Sequence, residues 1–539
     1  MTVESTYESL PPPERSAAVV AGLTVASRAV GLIRTVVIAT VLGITYLGNT
    51  YASANAIPNL LFEIVAGGAL AAVLVPALAA PISRKNPADL SRTASSFVNL
   101  TLLVLTPVVV IGLLLREPLM MWLTSGVPDQ AVRMAQVELG KFFLLVFLPQ
   151  IWLYGLGVVL TGILHAHHRF AGPAFAPLLS SVVVTVAVLV YGFTEGSAAA
   201  SLEEVSRRGI LILGFGTTAG VAVLALSLLV PIRKLSISWR PYLKIPKESG
   251  QIAKRLLGAA LVAVAGQQVL LAVVLVIANR IEGGVVAYQL AFTVLLLPWA
   301  VLAVPLAVAS FPGMATAIAD GKIDEFRKRC ADASGMVLYV CFGGAALLAG
   351  TAGPLARAVL TFGAANGSSE TLVTNTILAF APGMIGYGAY AYLSRVAYAQ
   401  GDGRSPATAA AVGFGIGIVG SVSAPIFAKG AFLVAALAGS FSIGMIVGSL
   451  LLLARLRSTA GSEAFSGLGT ASIRGTVAAV LAAPAGFLAS GLISGRSLGL
   501  DLGAALLASF AVVVVYIGVQ AILGDRDLPR TYSAIRGAR

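Results

Sequence analysis

What this chain has least of is charge. Of its 539 residues, 11% are charged and 58% hydrophobic, whereas soluble domains carry about 25% charged residues. An ordinary soluble protein is excluded, and the composition is that of a polytopic membrane protein. Cysteine is scarce too: Cys330 and Cys341 are the only two, which rules out a disulfide framework or a cysteine metal site. The three histidines, His165, His167 and His168, share one short loop without acidic or cysteine partners. Loop solvation and headgroup contact explain them better than a metal does, and no metal or cofactor is expected. Among 23 acidic residues, only Glu63, Glu138 and Asp501 fall in apolar stretches. A membrane-embedded enzyme needs general acids or metal-binding carboxylates, so a transferase or protease is disfavoured and no enzyme is expected. The 58 glycines form no phosphate-cradling loop on a strand–helix turn and read as close helix packing. The polar N-terminal stretch, with Pro11, Pro12 and Pro13, lacks the basic-then-apolar pattern of a cleaved signal. The first membrane helix is expected to serve as the insertion signal.

What is there is a series of apolar runs of about 20 residues, the length that spans a bilayer. They predict an all-α integral membrane protein with about fourteen transmembrane helices, near 16–43, 49–80, 93–115, 131–163, 168–194, 208–232, 255–280, 284–318, 333–355, 371–399, 405–428, 430–454, 471–494 and 499–524. Basic residues set the orientation. The loops on the side of both termini hold Arg84, Lys85, Arg92, Lys322, Arg327, Lys328, Arg455 and Arg457, and the longest runs from Arg233 through Arg240, Lys244 and Lys247 to Lys254. Both termini are expected in the cytoplasm. The net charge of +13 is then topology and contact with anionic lipid, and no nucleic-acid role is needed.

The chain also repeats itself. VPALAAPISRKNPADLSRTASSFV from Val75 parallels FPGMATAIADGKIDEFRKRCADASGMV from Phe311. Each has a proline, a small-residue helix end, a charged amphipathic segment and a serine before the next span. The expected organisation is a tail at 1–15, a six-helix bundle at 16–232, a basic linker at 233–254, a pseudo-symmetric second six-helix bundle at 255–455, a loop at 456–470, two further helices at 471–524 and a tail at 525–539. An even-membered repeat runs parallel about an axis along the membrane normal and leaves a cleft between the halves, as in transporters.

Polar residues inside the first two spans mark the candidate site. Arg28 and Arg34 lie in the first, separated by about 9 Å along a helix, so both cannot snorkel to one interface. An arginine at mid-membrane costs about 2.5–3.5 kcal/mol on insertion scales. Both are expected to face a wet cavity, with Gly31 between them. Their planar forks suit phosphate, pyrophosphate or carboxylate. Asn49, Asn55, Asn59 and Glu63 sit in the second span. Glu63 has two readings, partner of an arginine or protonatable coupling group. Lys141 is a cavity cation or the local partner of Glu138. Gln267 and Gln268 are interhelical glue or cavity groups.

With those residues in view, the chain resembles the MurJ/MviN family of the multidrug/oligosaccharidyl-lipid/polysaccharide exporter superfamily. The likeness rests on SRAVGLIRTVVIATVLG at 27–43, IPNLL at 57–61 with VPALA at 75–79, HRFAGPAFAPLL at 168–179 and LLPWAVLAVPLAVASFP at 296–312. It implies a flippase of the bacterial plasma membrane that moves lipid II, the undecaprenyl-pyrophosphate-linked peptidoglycan precursor, by alternating access. Its implied partners are that lipid, membrane lipids and cell-wall synthesis proteins. It further implies that Arg28 and Arg34 meet the pyrophosphate. The chain departs from better-known members: Phe62 and Glu63 follow the PNLL motif where they have an arginine, Asn49 replaces an acid, and Thr293 replaces a helix 8 arginine. Of the acids that hold sodium in the family, none is present in helix 7, and only Asp402 lies near helix 11. Related readings are a flippase for another polyprenyl-linked glycan and a cation-coupled drug exporter.

Overall fold

The computed structural model describes residues 13–67, 74–75, 77–78, 81–82, 86–235, 237–243, 264–360, 367–493 and 497–524. Every regular element among them is helical, with no strand among the described residues. Twelve helices are long and apolar enough to cross a membrane. The expected spans at 49–80 and 255–280 run into undescribed residues, so twelve is the number the described helices support. The expected linker is described only as far as Leu243.

The first half comprises α1 (Pro13–Val41), α2 (Tyr46–Phe62), α3 (Pro87–Leu114), α4 (Arg116–Leu123), α5 (Gln130–Phe147), α6 (Gln150–Ala166), α7 (Ala171–Glu195), α8 (Arg207–Ser227) and α9 (Leu229–Arg233). The second comprises α10 (Val264–Ala278), α11 (Gly284–Pro298), α12 (Val304–Ala319), α13 (Ile323–Leu360), α14 (Gly367–Ala399), α15 (Arg404–Phe427) and α16 (Ala431–Ala460). Two last helices, α17 (Leu468–Ser490) and α18 (Leu498–Ile522), pack on α13. Polar caps set several starts. Asn86 accepts from Ala88 and Asp89 N–H at 3.1 Å each, and Asp129 accepts from Ala131 N–H at 2.7 Å. These satisfy amides that have no partner within the helix.

Two boundaries differ from expectation. The run at 131–163 is two helices, α5 and α6, meeting at Leu148–Pro149, because proline has no N–H to continue the ladder. The span expected at 333–355 begins earlier, at Ile323. Its charged first turns bury Phe326 and Cys330, four residues apart on one face.

Two membrane helices contain a π-turn, Glu63–Gly67 after α2 and Trp299–Ala303 after α11. The alignment of Val75 with Phe311 also places Glu63 on Trp299, so the turns occupy equivalent positions in the two halves. Such turns release backbone bonding locally and concentrate at functional bends.

The halves meet through α1 and α2 on one side and α11 and α13 on the other. Asn49 Nδ2 donates to Ile281 O at 2.8 Å, and Asn49 Oδ1 accepts from Val285 N–H at 2.9 Å. Asn279 Nδ2 donates to Ser53 Oγ at 2.9 Å. Asn49, Ser53 and Asn279 are all buried. Asn49 thus caps the start of α11 from the opposite half. The residue before α11 is Gly283, with φ +69°, and a Cβ there would collide with Ile44; glycine is what allows the two loops to approach.

Candidate functional site

α1 is the element shared by both halves. It packs on α7 of the first and on α11 of the second. Where the three meet lies a cavity of about 530 Å³. From α1 come Ser27, Arg28, Gly31 and Arg34, from α7 Pro173, Pro177, Ser180 and Ser181, from α8 Leu224, and from α11 Thr293 with Leu296 and Leu297. Among the described residues Arg28 and Arg34 are its only charged lining residues, and no carboxylate is among them. Arg28 is exposed and Arg34 half-buried. Tyr387 of α14 lies in the second half. Tyr387 stacks on Trp299, the first residue of the second π-turn, with ring centroids 4.8 Å apart.

This geometry brings Arg28, Gly31, Arg34 and Thr293 together. The other candidates lie elsewhere. Asn49 holds the two halves together, as described. Asn55 is half-buried and Asn59 exposed on α2, and neither lines the cavity. Glu63, half-buried in the first π-turn, makes no ion pair with Arg28 or Arg34, so the pairing considered from sequence is absent among the described residues. Lys141 is bonded to Glu138 at 2.7 Å and reaches Glu117 at 3.6 Å. Gln267 is exposed on α10, and Gln268 is buried beside it. Asp402 accepts from the N–H groups of Arg404 and Ser405, each at 3.0 Å, and so caps α15.

Sequence reasoning missed Ser180 and Ser181, both 4% exposed. Their signal was a polar pair within an apolar span, just after the PAFAP stretch. With Ser27 and Thr293 they add hydroxyls to a cationic cavity. Such a set can hold an anion by charge-assisted bonds and orient neighbouring hydroxyls.

The probable lipid II flippase MurJ of Synechocystis is 28% identical over 397 residues, spanning 72% of this chain and 72% of that one. The lipid II flippase MurJ of Burkholderia cenocepacia is 25% identical over 451 residues, 82% of this chain and 83% of that one. Among solved structures, lipid II flippase MurJ in an inward closed conformation matches with TM-score 0.73 at 19% identity, covering 94% of this chain and 99% of that chain. An inward-facing MATE family multidrug resistance transporter of the MOP superfamily matches with TM-score 0.67 at 14% identity, covering 81% of this chain and 96% of that chain. These likenesses give the chain a transporter fold. The model of the lipid II flippase MurJ family matches residues 38–498, a stretch that starts after Arg28 and Arg34, and on that match this multi-pass membrane protein belongs to the family.

Proposed function

We propose that the protein is a flippase carrying lipid II, a polyprenyl-pyrophosphate-linked glycan, from the inner to the outer leaflet of a bacterial plasma membrane. The observation that carries this reading is the cavity between the halves, whose described lining holds Arg28 and Arg34 and no carboxylate. A pyrophosphate with attached sugars cannot cross hydrocarbon unaided, because a charge leaving water without a partner costs many kcal/mol. Two guanidinium groups replace water at the phosphates, and hydroxyls at Ser27, Ser180, Ser181 and Thr293 serve the sugars. The polyprenyl tail stays in the bilayer. Alternating access rocks one half against the other, with the Asn49 and Asn279 bonds closing one end and the π-turns bending the walls. A cation-coupled drug exporter needs an acid in its cleft, and the described lining residues include none. The protein acts as a transporter and not as an enzyme, with both termini in the cytoplasm where the basic loops gather and cell-wall synthesis proteins as neighbours.

The test is rescue of cells depleted of their own lipid II flippase, paired with flipping of labelled lipid II by the purified protein in vesicles. Both succeed on this reading. A correctly inserted, well-expressed protein that does neither removes lipid II as the substrate.

A further inference from the structure

Beyond α9 the chain runs along the outside of α3. Ser91, Ser95 and Asn99 recur every fourth residue on one stripe of that helix. Ser91 Oγ accepts from Ser238 N–H at 3.0 Å, and Ser95 Oγ accepts from Arg240 N–H at 3.2 Å. Asn99 Nδ2 donates to Arg240 O at 2.9 Å and to Tyr242 O at 3.1 Å. The helix face therefore satisfies backbone groups of this irregular segment through its side chains. Leu235 and Ile237 anchor it on an apolar cluster that includes Phe97 and Leu160. The Arg92 guanidinium lies 5.3 Å from the centroid of the Tyr242 ring.

The strap also presents exposed side chains. Trp239 is 45% and Leu243 57% exposed. Arg92, Arg233, Lys234 and Arg240 are exposed, and none makes an ion pair among the described residues. No acid occurs from Arg233 to Leu243. None of these residues lines the cavity.

We propose that this strap is a binding site for anionic phospholipid headgroups. The basic side chains meet the lipid phosphate, while Trp239 and Leu243 lie against the upper acyl chains. Three physical points favour that occupant. Indole and basic side chains together suit the headgroup zone, where one end of each is apolar and the other wet. An anionic surface attracts clustered Lys and Arg over zwitterionic lipid. Several backbone N–H and C=O groups of the strap are already bonded to α3, which leaves little edge to pair with a protein strand. The site is separate from the transport cavity and does not depend on the flippase reading.

The experiment uses the full chain in vesicles of phosphatidylcholine doped with brominated phosphatidylglycerol or, in parallel, brominated phosphatidylcholine. Bromine quenches tryptophan on contact, and subtracting the signal of Trp239→Phe isolates Trp239. Quenching of Trp239 is expected to report phosphatidylglycerol enriched about fivefold over phosphatidylcholine, a ratio that one basic residue near an anionic surface supports. The Arg233→Gln, Lys234→Gln, Arg240→Gln triple variant is expected to lose that preference and keep its thermal stability, since the three side chains are exposed. Equal quenching by the two lipids in the unaltered protein overturns the proposal and requires no variant to fold. So does an undiminished preference in the triple variant.

Discussion

At the scale of the residue, the cavity arginines decide most. Each is expected to supply one set of charge-assisted hydrogen bonds, worth about 1.5–3 kcal/mol. Arg28→Ala and Arg34→Ala should therefore each slow lipid II flipping roughly ten- to hundredfold. Folding should be untouched, because Arg28 is exposed and Arg34 half-buried beside a cavity. Lysine should restore only part, keeping charge but losing the planar fork. Flipping in vesicles measures this, with thermal unfolding as control, and full activity in the double alanine variant removes the cavity role. Glu63 is a separate case. With no arginine bonded to it among the described residues, the reading that remains from sequence is a protonatable coupling group. Under that reading Glu63→Gln flips as poorly as Glu63→Ala. Glutamine at the unaltered rate takes Glu63 out of the cycle.

At the scale of the element, helix ends and helix contacts set the predictions. Asp402 sits in the turn between α14 and α15. Partial burial works to raise its carboxyl, but the hydrogen bonds from Ser405 and Arg404 and the charge of Arg455 outweigh it and hold the group below the ordinary aspartate value. A depressed carboxyl stabilises the fold above the unfolded-state value, and that contribution is lost as pH falls through the folded-state value. Asp402→Ala should cost about 1 kcal/mol at neutral pH, typical of a lost N-cap. Asp402→Asn should keep most of the cap and lose the acid dependence. Thermal unfolding in detergent across pH reads both effects, and identical pH profiles for Asn and the unaltered protein exclude the charge. A second prediction belongs to the contact between α2 and the turn before α11. Ser53 and Asn279 are bonded at 2.9 Å and buried. Cysteines at both positions should form a disulfide that arrests flipping, and a reductant should restore it. Transport that persists while cross-linked means this end need not open.

At the scale of the whole molecule, orientation and the place of the last two helices are at issue. Cysteines at Ser197 and Ser368 should react with an impermeant thiol reagent added outside intact cells, whereas one at Ser462 should not. Labelling at Ser462 reverses the orientation. α17 and α18 are held to α13 by an apolar cluster around Phe342, Ala482 and Val512. Polar contacts flank it: Tyr516 OH donates to Tyr339 O at 2.6 Å, and Arg357 meets Asp501 at 3.3 Å. Asp501 is 3% exposed, and its replacement takes one of two acids from the half-buried Arg357, Glu370 remaining at 3.5 Å. Asp501→Ala should lower thermal stability by about 1 kcal/mol, the net loss of one charge-assisted bond at a partly solvated arginine.

The sequence by itself determined the helical membrane class and the rough position of most spans, and it singled out a repeat and a pair of arginines. Those features are local, because hydropathy over about 20 residues fixes a span and an arginine in an apolar run is costly wherever it packs. Only the tertiary structure decided which polar residues share a space. Arg28, Gly31 and Arg34 recur along one helix, but Thr293, Ser180 and Ser181 join them only because α7 and α11 both pack on α1. Asn49 looked like a site residue and instead caps a helix 236 positions away in sequence. Hydropathy reports burial in lipid or protein alike and carries no record of which helix faces which; that choice is made by packing between segments far apart in the chain.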